Sequence, residues 1–328
     1  MPIIMDKAQR REQIIDLWQT CFADPEPFVE LYFSRVYRDE NTLTIERDGR
    51  VLAALQLLPY TLNYFGTELP MTYVAGVCTV PEERRRGLMR QLLRESVEEM
   101  QRRGIALATL IPANDGLFDY YRRHGYTEAF DFTEETYDYP DAPIRPAGLL
   151  FERAIHPEID QELFAYYDRQ LRQRPISVLH TYEDYVTLLA DHQMEDGNVY
   201  TARREEDGQP VGMVFTLPND VPNLADNDIY ISELLFDTNE ICHYLLQETL
   251  IRDQALRARI RRPPLPNDCH RKGMAQVIDR ERMISLWLAA HPERSLTREA
   301  LEGLPAEELA RRLMDYPERT AYMNQMLD

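Results

Sequence analysis

Three consecutive arginines and a glycine, Arg84, Arg85, Arg86 and Gly87, sit inside the stretch VCTVPEERRRGLM that runs from Val77 to Met89. An apolar strand-like run reaches Val80, Pro81 cannot donate to a sheet ladder, and helical apolar spacing begins at Leu88. A strand-to-helix turn of this kind aims several unpaired backbone N–H groups at one spot, and the helix dipole adds about half a positive charge there. The arginines supply formal charge, and Gly87 removes the Cβ that would block a diphosphate. The predicted chemistry is capture of a phosphate-bearing anion by the turn from Arg84 to Arg90. The turn has neither the G-x-x-x-x-G-K-[ST] spacing of a nucleoside triphosphate loop nor the G-x-G-x-x-G spacing of a dinucleotide fold.

A second constellation, NDGLFDYYRRHGY, follows from Asn114 to Tyr126. The first motif resembles the signature [Q/R]-x-x-G-x-[G/A] of the GNAT superfamily, with Arg84 at its first position and Gly87 at its fourth. Met89 departs from the small residue expected at the sixth position; R-R-R-G-L followed by a large apolar residue is similar to the enhanced intracellular survival (Eis) branch. The second motif resembles the superfamily pattern N-x6-Y-x3-G-[F/Y], filled by Asn114, Tyr121, Gly125 and Tyr126.

The resemblance implies that acetyl-CoA is the co-substrate; the seven histidines do not cluster with cysteines or carboxylates at metal-ligand spacing, so no metal site is expected. It assigns Arg84, Arg85, Arg86, Gly87, Leu88, Met89 and Arg90 to the pyrophosphate. Val77, Cys78 and Thr79 would meet the pantetheine amides as an added strand would, with a backbone N–H there polarising the acetyl carbonyl, and Asn114 would touch the same arm. The activity implied is N-acetyl transfer to a primary amine by direct attack; an aminoglycoside, a polyamine, or a lysine or peptide amine would serve. An alkylamine has a pKa of about 10.4, so a base must take its proton, while the departing thiolate must gain one. Tyr121 matches the family acid, with Tyr120 beside it as a substitute and a packing role as the competing reading. The resemblance also suggests the terminal carboxylate, Asp328, as base. Glu82 and Glu83 read as favourable charge at a helix start, Cys78 as a small buried hydrophobe, and His124 as a helix-end residue. A non-catalytic acyl-CoA sensor or scaffold is the alternative of another class.

The elements that must position these groups form a mixed α/β pattern. Helical spacing covers Ile14 to Cys21 and Phe28 to Val36; strands are expected at Thr42 to Glu46, Val51 to Tyr60 and Met71 to Val80, with turns at Asp48-Gly49 and Phe65-Gly66. Leu88, Leu92, Leu93, Val97 and Met100 mark one face of a helix that Gly104 ends, and Ile105 to Ile111 reads as a buried strand. Strand, helix and strand in this order make a βαβ crossover with parallel strands. A short helix from Gly116 to His124 ends at Gly125.

The Pro-rich stretch from Tyr139 to Pro146 reads as a linker. Beyond it, helices are expected at Pro157 to Gln173, Tyr182 to Asp191 and Glu240 to Arg259, and strands at Val199 to Arg203, Val211 to Leu217 and Ile229 to Leu235. This segment resembles the second, degenerate GNAT-like domain of the Eis family, with Asp237-Thr238-Asn239-Glu240 where the arginine turn would recur. Its carboxylates would repel a pyrophosphate. The mainly helical end of the chain, opening with GMAQVID at Gly273, resembles a truncated sterol-carrier-like domain. The expected fold is therefore α/β (α+β): a catalytic GNAT domain with a central mixed sheet over 1–138, a degenerate copy over 147–262 and a short remnant over 268–328.

The chain has 328 residues and 44% hydrophobic content, enough for more than one core. With 37 Lys and Arg against 56 Asp and Glu its formal charge is −19, a field that repels nucleic acid and anionic membrane and mildly favours a cationic substrate. The scattered cysteines Cys21, Cys78, Cys242 and Cys269 form no C-x-x-C pair, the start lacks a secretory apolar core, and no apolar run approaches a membrane span. A cytoplasmic, homo-oligomeric enzyme is the expectation, the second property by resemblance alone.

Overall fold

The computed structural model describes residues 5–154, 156–218, 228–265, 268–316, 318, 320–324 and 326–327. It divides into two compact units, one built from residues of 1–130 and 272–318, the other from 131–271 and 319–327.

In the first unit Asp6 caps α1 (Lys7–Phe22) by accepting from the Gln9 N–H at 2.9 Å, and the helix buries Ile14, Leu17 and Trp18 at i, i+3, i+4 spacing. Helix α2 (Glu26–Arg35) starts behind Pro25. Strands β1 (Thr42–Arg47), β2 (Arg50–Tyr64) and β3 (Thr67–Thr79) form two hairpins, and the expected turn pairs Asp48-Gly49 and Phe65-Gly66 all take positive φ. Helix α3 (Leu88–Arg102) then crosses to β4 (Leu107–Leu110), which pairs parallel with β3, followed by α4 (Asp115–Arg122) and β5 (Thr127–Asp138). Leu92, Leu93 and Met100 of α3 are buried against Leu55, Leu57 and Val74 of the sheet, each contributing about 2 kcal/mol by leaving water.

The second unit comprises β6 (Leu149–Arg153), α5 (Gln161–Arg172), β7 (Ile176–Leu179), α6 (Tyr182–Met194), β8 (Asn198–Arg204), β9 (Pro210–Leu217), β10 (Asp228–Phe236), α7 (Asn239–Arg252) and β11 (Arg257–Arg262). Its sheet runs β5-β11-β10-β9-β8-β6, with β10 and β11 parallel. The chain continues through β12 (His270–Val277), α8 (Arg280–Ala290), α9 (Arg298–Glu302), α10 (Ala306–Leu313) and β13 (Ala321–Tyr322), the last pairing with β7. Among the described residues no helix is long and apolar enough to cross a membrane.

Several expectations change. The helix read over Glu240 to Arg259 stops at Arg252, because Gln254 turns left-handed at φ 54° and the next residues alternate, with Ala258 and Ile260 buried between arginines. The stretch expected to link two domains is pinned to α7: the Ile144 N–H donates to Gln247 Oε1 at 2.8 Å, and Gln247 Nε2 donates back to the Ile144 carbonyl at 3.2 Å. The compact units divide inside β5, at Phe130 and Asp131. The segment expected to begin a separate mainly helical piece instead begins with β12, whose residues Met274–Val277 pair antiparallel with Leu107–Leu110, so residues 272–318 belong with the first unit.

Candidate active site

The site is prepared by an interruption of the first sheet. Strand β3 pairs with β4 only from Met71 to Tyr73, yet β3 continues to Thr79. The cause is a bulge: the β2–β3 register shifts between Ala54 and Gln56, and Gly76 opposite takes φ 58°. A Cβ on Gly76 would stand 2.6 Å from Cζ3 of Trp18, so glycine is required by both conformation and space. Beyond the bulge the two strands part, leaving the β3 edge at Val77, Cys78 and Thr79 unpaired on the β4 side.

The turn that follows carries the positive pole. Pro81–Glu83 make one 3-10 turn, Arg84 is extended, Arg85 has φ 64° and Gly87, at the start of α3, has φ 81°. No side chain caps α3. Alternating left- and right-handed residues at a helix start turn successive N–H groups into one concavity, the geometry of an anion nest. Beside it opens a cleft of about 630 Å³, walled by Arg86, Gly87, Arg90 and Arg94 of the turn and helix, by Arg123 and His124 after α4, and by Gln276 of β12. The Arg86 guanidinium is held 3.1 Å from both carboxylate oxygens of Glu83, so an arriving phosphate would compete with that carboxylate. Burial, then the positive charge of Arg123 and Arg90, holds the His124 pKa below the usual histidine range, which leaves its ring neutral at neutral pH.

The expected site residues are brought to this region in different ways. Arg86, Gly87 and Arg90 face the cleft, whereas Arg84 turns back: its Nε donates to the Thr79 carbonyl at 3.2 Å and its Nη2 lies 3.5 Å from Cys21 Sγ. Arg85 supplies a left-handed backbone link with an exposed side chain. Leu88 is buried and Met89 packs against the same core, so both anchor the turn from below. Val77 packs there too, while Cys78 is buried with its thiol 3.8 Å from the Ala54 carbonyl. Asn114 stands at the start of α4 without capping it, so its amide is not committed to a helix N–H. Tyr121, on α4, is buried with its ring against Tyr120 and Tyr126. Burial above all, then the neighbouring Tyr120 and Cys78, pushes its phenol pKa well above the ordinary value. Asp328 lies outside the described residues.

Sequence reading missed Arg94, Arg123 and Gln276. The i, i+4 spacing of Arg90 and Arg94 was a usable signal. Gln276 had none, because its neighbours in space are set by a strand that joins the sheet from far along the chain.

The second unit repeats the strand-helix-strand plan without the positive pole. Strand β10 pairs with β11 only from Asp228 to Ile231, and the β10–β9 register again shifts, between Ile231 and Glu233. Here Thr238 caps α7 by accepting from the Ile241 N–H, and Asp237 accepts from Gln170 at 2.7 Å. Past the paired residues, Asn324 Nδ2 donates to the Ser232 carbonyl at 2.5 Å and to Glu233 Oε2 at 3.1 Å, while its Oδ1 accepts from Arg261 at 3.3 Å. A self-capped helix and a strand edge already bonded to the chain's own amide leave no anion nest.

The first unit is thus a mixed α/β domain with a parted strand pair and an uncapped, arginine-flanked turn on its crossover helix. Residues 6–129 match the family described as acetyltransferase (GNAT) domain. A stretch of 106 residues is 30% identical to a Streptomyces avermitilis protein described as an uncharacterized N-acetyltransferase; it covers 32% of this chain and about a quarter (25%) of that protein. The fold is similar to that of a GCN5-related N-acetyltransferase from Anabaena variabilis, with a TM-score of 0.69 at 17% identity over 85% of this chain and 73% of the other. It is also similar to Eis1 from Mycobacterium abscessus, with a TM-score of 0.66 at 16% identity over 86% and 74%.

Proposed function

We propose that this protein is an acetyl-CoA-dependent N-acetyltransferase of the Eis-like branch, acting on a primary amine by direct attack. The observation that carries the reading is the glycine-bearing turn from Arg84 to Arg90, open at the N-terminus of α3 beside a strand edge that β4 has left. The donor set fits a diphosphate: unpaired N–H groups, three cleft-facing arginines of α3 and its turn, and a φ of 81° that only Gly87 tolerates without strain. The parted edge at Val77, Cys78 and Thr79 suits the amide-bearing arm of the same co-substrate, and Asn114 stands ready with an uncommitted amide. Tyr121 stays neutral across the working range and so retains a proton for a hydrogen bond to the departing sulfur.

The acceptor is read as a cationic amine (an aminoglycoside, a polyamine, or a lysine or peptide amine), in keeping with the charge of −19. Action in the cytoplasm as a homo-oligomer belongs to the same reading, as does Asp328 as base. Calorimetry with acetyl-CoA, followed by a thiol-release screen across an amine panel, tests it. Binding is expected to weaken at least about tenfold to a hundredfold in Arg86→Glu, because a charge-assisted hydrogen bond contributes about 1.5–3 kcal/mol and is replaced by repulsion. Retained affinity in that variant, or a wild type that ignores acetyl-CoA, overturns the reading. Binding without turnover on any amine would instead select an acyl-CoA sensor.

A further inference from the structure

The last turn of α1 brings Cys21 against the end of β3, where Cys78 lies. Cys21 Sγ is 3.6 Å from the Thr79 carbonyl and 3.5 Å from Arg84 Nη2, and Cys78 Sγ is 3.8 Å from the Ala54 carbonyl on the neighbouring strand. Cys21 Sγ thus reaches the carbonyl of the residue that follows Cys78 along β3. Cys21 is partly exposed and Cys78 is buried, so one sulfur can meet a solute while the other waits behind it. Among the described residues both cysteines are free, 57 positions apart in sequence and adjacent only in the fold. We infer that Cys21 and Cys78 form a reactive thiol pair that hydrogen peroxide converts to a disulfide, and that the bridged protein loses its grip on the acyl-CoA co-substrate.

The supporting chemistry is consistent. The Cys78 thiol as donor, then the Arg84 guanidinium and the Thr79 backbone, outweigh burial and lower the Cys21 pKa to about 6, while the same contact and burial raise that of Cys78. At neutral pH Cys21 is the nucleophile and Cys78 the resolving thiol. The Cys21 thiolate attacks one peroxide oxygen, breaking the O–O bond, forming a sulfenic acid and releasing hydroxide, which takes a proton to become water. The Cys78 sulfur then attacks the sulfenic sulfur, forming the S–S bond and expelling a second water. Two thiols lose two electrons and two protons, and peroxide is reduced to two waters.

The consequence for binding follows from position. Cys78 belongs to the edge proposed to hold the co-substrate arm, and Arg84 braces the turn through the sulfur that would be consumed. Bridging draws the two sulfurs to a bond of about 2 Å, which pulls on the β3 edge and on the turn that Arg84 braces. This second half rests on the proposed function; the disulfide itself does not.

The full-length protein is treated with hydrogen peroxide and its disulfides are mapped on non-reduced peptides; acetyl-CoA binding is measured before, after and following thiol reduction. A Cys21–Cys78 peptide is expected, with affinity reduced about tenfold or more and restored by reductant. Cys21→Ser should bind acetyl-CoA and be insensitive to peroxide. A sulfinic acid on Cys21 without a bridge, or a bridge to Cys242, Cys269 or a second copy, refutes the pair. A bridged protein that binds as the reduced one does refutes the gating. If the reduced wild type binds no acetyl-CoA while the bridge still forms, the pair stands, and the gating falls with the functional reading.

Discussion

Single groups in this site are set by burial and by one or two charged neighbours. Tyr121 shows the balance: its ring packs in the core beside Tyr126, and its raised pKa makes it a donor that never ionises at working pH. Tyr121→Phe keeps the packing and removes the proton, so acetyl-CoA affinity should be unchanged while kcat falls about a hundredfold. Equal kcat in the two proteins would leave the tyrosine a packing residue and return the acid role to Tyr120. Cys21 shifts in the opposite direction. Its depressed pKa means that alkylation by iodoacetamide should reach half its plateau near pH 6 and slow below it. By linkage, the stabilisation from the bound thiolate is present above the unfolded thiol pKa and is lost as pH falls through the folded value. Arg84→Gln removes one cationic partner and should move the alkylation midpoint upward; an unmoved midpoint would reject that guanidinium as a cause.

Elements translate those residues into place, and the decisive one is the bulge in β3. Gly76 holds φ 58° with the buried Trp18 ring where a Cβ would go, and Trp18 is itself tethered through Nε1 to Asp24 at 2.7 Å. The ring cannot yield cheaply, so Gly76→Ala should lower unfolding stability by about 2 kcal/mol or more in urea titration, from overpacking plus left-handed strain. An unchanged midpoint and slope would show that the bulge relaxes freely. Legibility divides along the same line. The turn residues Arg84 to Gly87, the amphipathic face of α3 and the hairpin glycines were readable because each signal is local: charge, period or a left-handed dipeptide. The bulge was not, since VAGVCT reads as an ordinary strand and the demand for glycine comes from a helix about sixty residues earlier. Strands β6, β7 and β11 escaped for a related reason. Each is short, and β11 hides two buried apolar residues among four arginines.

At the scale of the molecule, chain order and spatial order separate, which no local pattern announces. The crossover β3-α3-β4 was legible within the first 130 residues, but β4 acquires its second neighbour from residues 274–277, after the whole second unit has been traversed. Strand β4 is four residues long, fully buried, and paired with β3 over only three of them. Without β12 it would carry an unpaired edge in the middle of the core, and the wall of the cleft at Gln276 would be missing. Unsatisfied buried backbone groups cost about 1–3 kcal/mol each, so several together rival the whole stability of a domain. A fragment ending at residue 138 contains every proposed contact to acetyl-CoA and lacks only the proposed base, Asp328, and sequence reasoning would treat it as an independent domain. The expectation from the fold is the reverse: in isolation it should lack cooperative unfolding, and the amides of Leu107–Leu110 should exchange rapidly, whereas in the full chain they are protected. A fragment that unfolds in one sharp transition and binds acetyl-CoA as the full protein does would show that the late strand is dispensable and that the first 138 residues hold the site on their own.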